Sequence, residues 1–199
     1  METLVFASSN EHKIAEIKVL AANAFKIKSM SEIGIKEDIE ETGTSFKENA
    51  ALKAQFVYDR TKQNCFADDS GLEVFALNNE PGIYSARYAG EARNSNDNLQ
   101  LVLEKLGKNS NREARFVCVI CLIDAGKEFI FEGEIRGTLL HEPEGQNGFG
   151  YDPVFVPEGY SQSFASLGED VKNTLSHRAR ALAKMFDYLS NKQKLILTD

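Results

Sequence analysis

The chain of 199 residues has only three cysteines, no tryptophan and no long apolar run. An odd number of cysteines excludes a fully paired disulfide framework of the kind that stabilises small secreted domains. No apolar run approaches the roughly 20 residues of a membrane-spanning helix. The first apolar run, Leu4 to Ala7, is too short to be the core of a signal peptide. We therefore expect a cytoplasmic protein without a membrane partner.

The chain also lacks an excess of positive charge, because 23 lysines and arginines stand against 30 aspartates and glutamates, for a net charge of -7. This balance argues against binding of a nucleic-acid polymer, which normally needs a basic face. A single nucleotide needs only a local positive pocket and is not excluded. A hydrophobic fraction of 42% is that of an ordinary globular protein. The length predicts one domain over residues 1–199, divided at most into two lobes.

Two of the cysteines, Cys118 and Cys121, form a C-x-x-C pattern inside the β-type run from Phe116 to Ile123. Side chains three residues apart on a strand point to opposite faces of the sheet. This geometry fits neither a single metal ion nor a redox pair. We therefore expect buried structural thiols.

Two adjacent acids, Asp68 and Asp69, stand between short apolar runs and are followed by Ser70 and Gly71. We expect one strand to end at Ala67 and another to begin at Leu72, with the acids at the turn. Adjacent carboxylates repel each other unless a cation or several donors neutralise them. Aspartate oxygens beside a phosphate are typical ligands of Mg²⁺. The alternative is an ordinary Asp-Ser-Gly turn.

Two predicted helix starts carry cations, where the helix dipole disfavours them. Ser8 to Asn10 precede a helix with Lys13 in its first turn, and Ser176 precedes a helix that opens with His177 and Arg178. A bound anion such as phosphate would remove the conflict, because helix N-termini attract anions. For Lys13 the alternative is a surface lysine beside an ordinary helix cap.

A third helix is predicted to start at Ser45, which forms a capping box with Glu48, and to run to about Thr61. Asn49 and Lys53 lie on its largely apolar side, by their three- and four-residue spacing to apolar residues. A lysine can extend along an apolar surface until its ammonium reaches water. Contact with a phosphate is the alternative explanation.

Ser95 is predicted to cap a further helix, and Gly107 is predicted to end it. Two β-type runs, at residues 115–123 and 128–135, flank a turn at residues 124–127, which indicates a hairpin.

The glycine-dense segment at residues 144–153 carries Phe149 and Tyr151, and a short strand follows it. Its glycines allow a ligand to approach the backbone, and its aromatic rings offer a stacking surface for a base. Together with the acids and the helix-start cations, this segment favours a magnesium-bound nucleoside polyphosphate as the ligand.

Six stretches of the chain resemble the HAM1-like inosine triphosphate pyrophosphatase family, which removes non-canonical purine nucleotides. The matching segments are Ser8 to Lys13, Glu41 to Ala50, Phe66 to Leu72, Pro81 to Tyr88, Gly148 to Pro153, and Lys172-Asn173 with Ser176 to Ala179. They follow the family order over residues 8–179. One departure is visible at Ser8-Ser9-Asn10, where the family often has Thr-Gly-Asn.

The resemblance implies an elongated α/β fold of two lobes around a long mixed β-sheet with flanking helices, an active site in the cleft between the lobes, and a homodimer. It implies hydrolysis of dITP, ITP and XTP to the nucleoside monophosphate and pyrophosphate, with Mg²⁺ or Mn²⁺ as the metal. Donors facing the purine 6-oxo group would reject adenine, which presents an amino group there. The alternatives are a Maf-type pyrophosphatase with a different base preference and a nucleotide-binding regulator that does not hydrolyse.

The resemblance also assigns roles to individual residues. Asp69 is the general base and, with Glu41, holds the metal, while Asp68 supports the metal or its waters; the choice between Glu40 and Glu41 stays open. The triphosphate contacts are assigned to Ser8, Ser9, Asn10, Glu11, His12, Lys13 and Lys53, and Ser70 joins the substrate-binding set. The base contacts are assigned to Phe149, Gly150, Tyr151, Asp152, Lys172, His177 and Arg178.

Overall fold

The structure, a computed structural model, describes residues 2–21 and 24–196. Their strands form one seven-stranded sheet with the order β2-β1-β3-β5-β6-β7, and β4 pairs with β3. The strands are β1 (Thr3–Phe6), β2 (Lys26–Ser29), β3 (Cys65–Val74), β4 (Glu80–Pro81), β5 (Glu113–Asp124), β6 (Lys127–Leu139) and β7 (Phe155–Pro157). The β1–β2 and β1–β3 pairs are parallel, whereas β3–β4 and β6–β7 are antiparallel. The predicted α/β fold with a mixed sheet is confirmed.

Six α-helices accompany these strands in the described residues. They are α1 (Glu11–Ala21), α2 (Phe46–Thr61), α3 (Ser95–Leu106), α4 (Phe164–Leu167), α5 (Glu169–Leu175) and α6 (His177–Ile196). Short 3₁₀ helices occur at Ser31–Ile33, Phe75–Leu77 and Gly82–Arg87. Within residues 2–21 and 24–196, no helix is long and apolar enough to cross a membrane.

The chain divides into two compact units, each built from several segments. Unit 1 comprises residues 1–69, 118–133 and 178–199, and unit 2 comprises residues 70–117 and 134–177. That the two units form a single domain stays a prediction.

Unit 1 has a hydrophobic cluster on each face of its strands. Leu4 and Phe6 of β1 pack with α1 and α6, whereas Val5 and Ala7 pack with α2. Successive side chains of a strand point to opposite faces, so this division follows from the backbone. From Leu4 to Ala7 the chain is buried on both faces, which explains this continuous apolar run.

The two acids do not lie at a turn, as we expected from the sequence. They lie inside β3, which runs without interruption from Cys65 to Val74. The partner strand expected from Leu72 to Leu77 is also wrong, because its first residues complete β3 and Phe75–Leu77 forms a 3₁₀ helix. A strand can contain adjacent buried acids only if other side chains neutralise them, and the candidate site contains such side chains.

Helix caps and helix ends were predicted more accurately than the strand that contains the two acids. Ser45 caps α2 by accepting the N–H of Glu48, as predicted, and the Glu48 carboxylate also accepts the backbone N–H of Thr44. The cap of α3 is Asn94 and not Ser95, since the Asn94 side chain accepts two N–H groups of the first turn. Gly107 ends this helix as predicted.

The predicted hairpin is confirmed between β5 and β6, which are neighbours in the sheet. Ala125 and Gly126 connect them, with φ of 49° and 79°. Positive φ at both central residues is typical of the tight turns that match strand twist.

All three cysteines are free and buried, as expected. Cys118 belongs to the cluster with α1 and α6, and Cys121 to the cluster with α2. The two sulfur atoms of the C-x-x-C pattern therefore point to opposite faces, which excludes a shared metal ion or disulfide. Burial raises the pKa of Cys65 and of Cys121 to about 12, so neither thiol is reactive.

Unit 2 has its own core. The apolar side of α3 packs with the end of β3 and with aromatic residues of the chain's second half. The ring of Phe155 lies 4.6 Å from that of Phe116 and 5.5 Å from that of Phe164, measured between centroids. This core supports the glycine-dense segment, whose Tyr151 belongs to it.

Candidate active site

The neighbouring acids of β3 face different helices. Alternation along the strand places Phe66 and Asp68 on one face and Ala67 and Asp69 on the other. Phe66 packs in the cluster of α1 and α6, and Ala67 packs in the cluster of α2. The two carboxylates therefore have separate sets of partners, although they are adjacent in the chain.

Asp68 is surrounded by cations on its face of the strand. The Nζ of Lys13 lies 3.1 Å from Oδ1 and 3.0 Å from Oδ2, and the Nε of Arg178 donates to Oδ2 at 3.2 Å. The thiol of Cys118 lies 3.8 Å from the same oxygen. Burial alone would raise the pKa of the Asp68 carboxyl, but Lys13 and Arg178 outweigh burial and hold the pKa far below its usual range.

The cations at the two helix starts consequently have partners inside unit 1. Lys13 pairs with Asp68, and Arg178 pairs with Asp68 and also donates from Nη1 to Oε2 of Glu16 at 2.7 Å. The helix dipole alone suggested that a bound anion would remove this conflict, but Asp68 and Glu16 already neutralise Lys13 and Arg178 within the protein. That Lys13 also binds a triphosphate and that Arg178 contacts a base stay predictions.

Asp69 has amide and ammonium partners that come from α2. The Nδ2 of Asn49 donates to Oδ2 of Asp69 at 3.0 Å, and the Nζ of Lys53 lies 3.6 Å from Oδ1. Lys53 also donates to Oε1 of Glu41 at 2.5 Å. The side chains of Asp69, Lys53 and Glu41 thus meet at one point, at the edge of the buried region.

The pKa values of Asp69 and Lys53 are shifted in the same direction for different reasons. Burial raises the pKa of Asp69, and the ammonium of Lys53 opposes this effect only in part. Burial would lower the pKa of Lys53, but the carboxylates of Asp69 and Glu41 outweigh it and raise that pKa. A buried carboxylate with a raised pKa accepts a proton more readily than an exposed one, which suits a general base.

The structure distinguishes Glu41 from Glu40, which the sequence did not. Glu40 is exposed, whereas Glu41 is half-buried and contacts Lys53. Glu41 is therefore the carboxylate that accompanies Asp69.

The acidic side chains of the site decide whether it can hold a metal ion. Within residues 2–21 and 24–196, no group of three or more His, Cys, Asp or Glu side chains is arranged to hold a metal ion. Two carboxylates, those of Asp69 and Glu41, nevertheless converge on the ammonium of Lys53. Mg²⁺ is commonly held by one or two carboxylates together with waters and substrate phosphates, so this pair fits a metal that arrives with its substrate.

The loop between β1 and α1 presents polar groups at the start of α1. The Oδ1 of Asn10 accepts the N–H of Lys13 at 3.1 Å, and the Oγ of Ser8 accepts the N–H of Asn10 at 3.2 Å. Ser9, Asn10, Glu11 and His12 are exposed. The predicted cap is confirmed, and contact with a triphosphate stays a prediction.

In unit 2, Asp152 organises the glycine-dense segment. Its Oδ2 accepts the N–H of Phe149 at 2.8 Å and the Nζ of Lys172 at 2.7 Å. The same Nζ lies 4.4 Å from the centroid of the Phe149 ring, which is a cation–π distance. A Cβ on Gly148 would lie 2.3 Å from Oδ2 of Asp152, so only glycine fits there.

Two other predicted base contacts have structural partners in unit 2. The hydroxyl of Tyr151 donates to the carbonyl of Ser85 at 2.8 Å, and this side chain is buried. The ring of His177 stacks on Phe116 with a centroid distance of 4.8 Å. The structure thus brings Phe149, Asp152 and Lys172 together, while Tyr151 and His177 are anchored to the core of unit 2.

The family model described as the Ham1 family matches residues 4–188 of the chain. The chain belongs to the Ham1 family. A relative of this Ham1 chain, the dITP/XTP pyrophosphatase of Porphyromonas gingivalis, is 50% identical over 190 residues, which cover 95% of this chain and 98% of the relative.

Solved Ham1 structures agree with this assignment. The Ham1 protein of Coxiella burnetii superposes with a TM-score of 0.88 at 39% identity, and the Ham1 protein of Staphylococcus aureus with a TM-score of 0.87 at 40% identity. Each comparison covers 96% of this chain and 100% of the other. The resemblance inferred from the motifs is confirmed.

The sequence did not indicate every residue of this Ham1 site. Glu16 was missed, because its partner Arg178 is 162 positions away and a lone glutamate on a helix is ordinary. Asn49 was noticed as a polar residue on an apolar helix side, but not as the partner of Asp69. Its complete burial is the property that separates it from a surface asparagine.

Proposed function

We propose that this Ham1 chain hydrolyses the non-canonical purine nucleoside triphosphates dITP, ITP and XTP to the nucleoside monophosphate and pyrophosphate. The observation that carries the proposal is the convergence of Asp69, Glu41 and Lys53 at one point. It supplies a base, a metal-binding carboxylate and a phosphate-binding cation. The names of the related dITP/XTP pyrophosphatases point to the same reaction.

In the proposed mechanism, Asp69 accepts a proton from the attacking water, and the bond between the α- and β-phosphates breaks to release pyrophosphate. A Mg²⁺ or Mn²⁺ ion held by Asp69 and Glu41 would supply charge that stabilises the leaving pyrophosphate and lowers the pKa of water. Lys53 would orient the phosphates. Asp68 would support the metal or its waters, and it holds Lys13 at the start of α1.

We propose that the base is recognised by the Phe149 segment of unit 2. The ring of Phe149 offers a stacking surface, and Lys172 is a donor of the kind that a 6-oxo group accepts. Asp152 holds both groups in place. Adenine would leave such a donor without an acceptor and would therefore be rejected.

The proposal includes a homodimer in the cytoplasm. The three free, buried cysteines fit a reducing compartment, and light scattering coupled to size-exclusion chromatography would measure the oligomeric state.

We expect pyrophosphate release from dITP, ITP and XTP to exceed release from dATP and dTTP by at least about a hundredfold, because a site built for one hydrogen-bonding pattern strongly rejects another. The measurement is a pyrophosphate assay on a panel that also contains dGTP and 7-methyl-GTP, with Mg²⁺ and with excess chelator. A preference for dTTP or 7-methyl-GTP would indicate Maf-type specificity. Tight binding of dITP without turnover would indicate a regulator, and full activity in chelator would rule out the carboxylate–metal role.

Gly148→Ala is expected to raise KM for the nucleotide and to destabilise the protein. The new Cβ would displace Oδ2 of Asp152 and so break its bonds to Phe149 and Lys172. Gly159→Ala is the matched control, because Gly159 also has a positive φ but open space around it; the left-handed backbone alone should cost about 1 kcal/mol. Thermal unfolding and steady-state kinetics measure both effects, and equal behaviour of the two variants would contradict the role of Asp152.

A further inference from the structure

The side-chain amide of Asn49 connects two parts of the unit 1 site that are distant in sequence. Its Nδ2 donates to Oδ2 of Asp69 at 3.0 Å, and its Oδ1 accepts the backbone N–H of Gly43 at 2.8 Å. The residue is completely buried. Both ends of the amide are thus bonded within the protein, so the phosphate contact considered from the sequence is not required to explain this polar residue.

We propose that Asn49 is a positioning residue for the pyrophosphatase reaction, which fixes the carboxylate of Asp69 and ties the loop carrying Glu41 to it. The inference rests on the proposed function, because it assumes that Asp69 and Glu41 are the reactive carboxylates. It goes beyond that function by naming the group that sets their relative position.

The orientation of the amide follows from its partners. A backbone N–H can only donate, so the oxygen of Asn49 must face Gly43 and the nitrogen must face Asp69. Asp69 therefore receives a donor on Oδ2, while its Oδ1 is the oxygen near Lys53. A carboxylate held in this way presents one defined oxygen to the side where Glu41 and Lys53 meet.

Gly43 completes the connection on the loop side. A Cβ at this position would lie 2.7 Å from Oδ1 of Asn49 and 2.7 Å from the Cβ of Glu48. Gly43 is not among the glycines with a positive φ, so the close approach and not the backbone conformation requires glycine. Because Glu41 lies two residues before Gly43, the bond that holds Gly43 also restrains the position of the Glu41 carboxylate.

Asn49→Ala is expected to lower kcat by about ten- to a hundredfold with little change in KM, since misplacing catalytic groups by about 1 Å can cost a hundredfold in rate. Hydrogen exchange of the Gly43 amide, followed by NMR, should become faster, because its acceptor is gone. Asn49→Asp keeps the acceptor for Gly43 but places a second carboxylate against Asp69. Its kcat should fall at least as far, while the Gly43 amide stays protected.

Gly43→Ala tests the same connection with Asn49 and Asp69 both intact. The added methyl group should push the loop away from the amide, lower kcat and accelerate amide exchange in the loop. If Asn49→Ala does not fold, kcat and loop amide exchange in Gly43→Ala and Asn49→Asp test the inference instead.

Asn64→Ala is the matched control. The Oδ1 of Asn64 accepts the N–H of Ala125 at 2.8 Å, and its Nδ2 donates to Oδ1 of Asp124 at 3.0 Å. Both ends of the amide are bonded, as in Asn49, but Asn64 is half-buried, its Nδ2 also donates to Oε1 of Glu2 at 3.3 Å, and it contacts the hairpin between β5 and β6. We expect Asn64→Ala to lower the melting temperature and to accelerate exchange of the Ala125 amide without changing kcat.

A folded Asn49→Ala variant with wild-type kcat would overturn the inference. Equal losses of kcat in Asn49→Ala and Asn64→Ala would also overturn it, since general destabilisation would then be the cause. Asp69→Asn, assayed in parallel, separates this inference from the proposed function. If Asp69→Asn is active, the assignment of the base fails; if it is inactive while Asn49→Ala is active, only the positioning role fails.

Discussion

Asp69→Asn is expected to lower turnover at least about a hundredfold, the usual scale for loss of a general base. The amide has the shape of the carboxylate, and its oxygen can still accept the N–H of Asn49, but it cannot take a proton from water. Folding should be retained, because burial already disfavours the charged form of Asp69 and raises its pKa. Pyrophosphate release from dITP measures the effect, and thermal unfolding verifies the fold.

Asp124→Asn provides a control with similar burial. Asp124 is 3% exposed and pairs with Lys192 at 2.5 Å, but its partners are Asn64, which precedes β3, and residues of α6. Its replacement should reduce stability and leave turnover near that of the wild type. If Asp69→Asn also kept near-wild-type turnover, another group would have to be the base.

The elements that the sequence predicted correctly are those whose signals are local. The cap of α2 at Ser45, the end of α3 at Gly107 and the hairpin turn at Ala125-Gly126 each depend on residues within four positions of one another. The family was also recognisable, because its motifs are spread over the chain in a fixed order.

The path of β3 through the acids was not predictable, because the groups that neutralise them are remote. Lys13 is 55 positions from Asp68, and Arg178 is 110 positions from it. Without these cations, adjacent acids favour a solvated turn. Once the strand is known, the separate environments of Asp68 and Asp69 follow from simple alternation of side chains. Because the strand was expected to end at Ala67, the sequence did not show that Asp68 and Asp69 lie on opposite faces of it.

The partners of the cations at the helix starts were also not predictable from the sequence. The dipole argument correctly marked Lys13 and Arg178 as unusual, but it led to an external anion. The structure instead places the carboxylates of Asp68 and Glu16 beside them. A charge at an unfavourable helix position indicates that a partner exists, whereas its identity depends on tertiary contacts.

Arg178→Met is expected to destabilise the protein by about 3–5 kcal/mol, the scale for removing one partner of a buried ion pair. The Arg178 side chain is 1% exposed and bridges Asp68, at 0%, and Glu16, at 9%. Methionine fills much of the volume but leaves the Glu16 carboxylate without its guanidinium, while Lys13 still neutralises Asp68. Urea unfolding measures the change in free energy.

Two further variants test whether the unpaired carboxylate of Glu16 causes the loss of stability in Arg178→Met. Arg115→Met removes an arginine that also bridges two glutamates, but its side chain is 32% exposed, so its loss should cost about 1 kcal/mol or less. Combining Arg178→Met with Glu16→Gln should recover part of the lost stability, because the neutral amide no longer needs a cation. If Arg178→Met cost no more than Arg115→Met, or if Glu16→Gln added to the loss, the network would not be held by its buried charges.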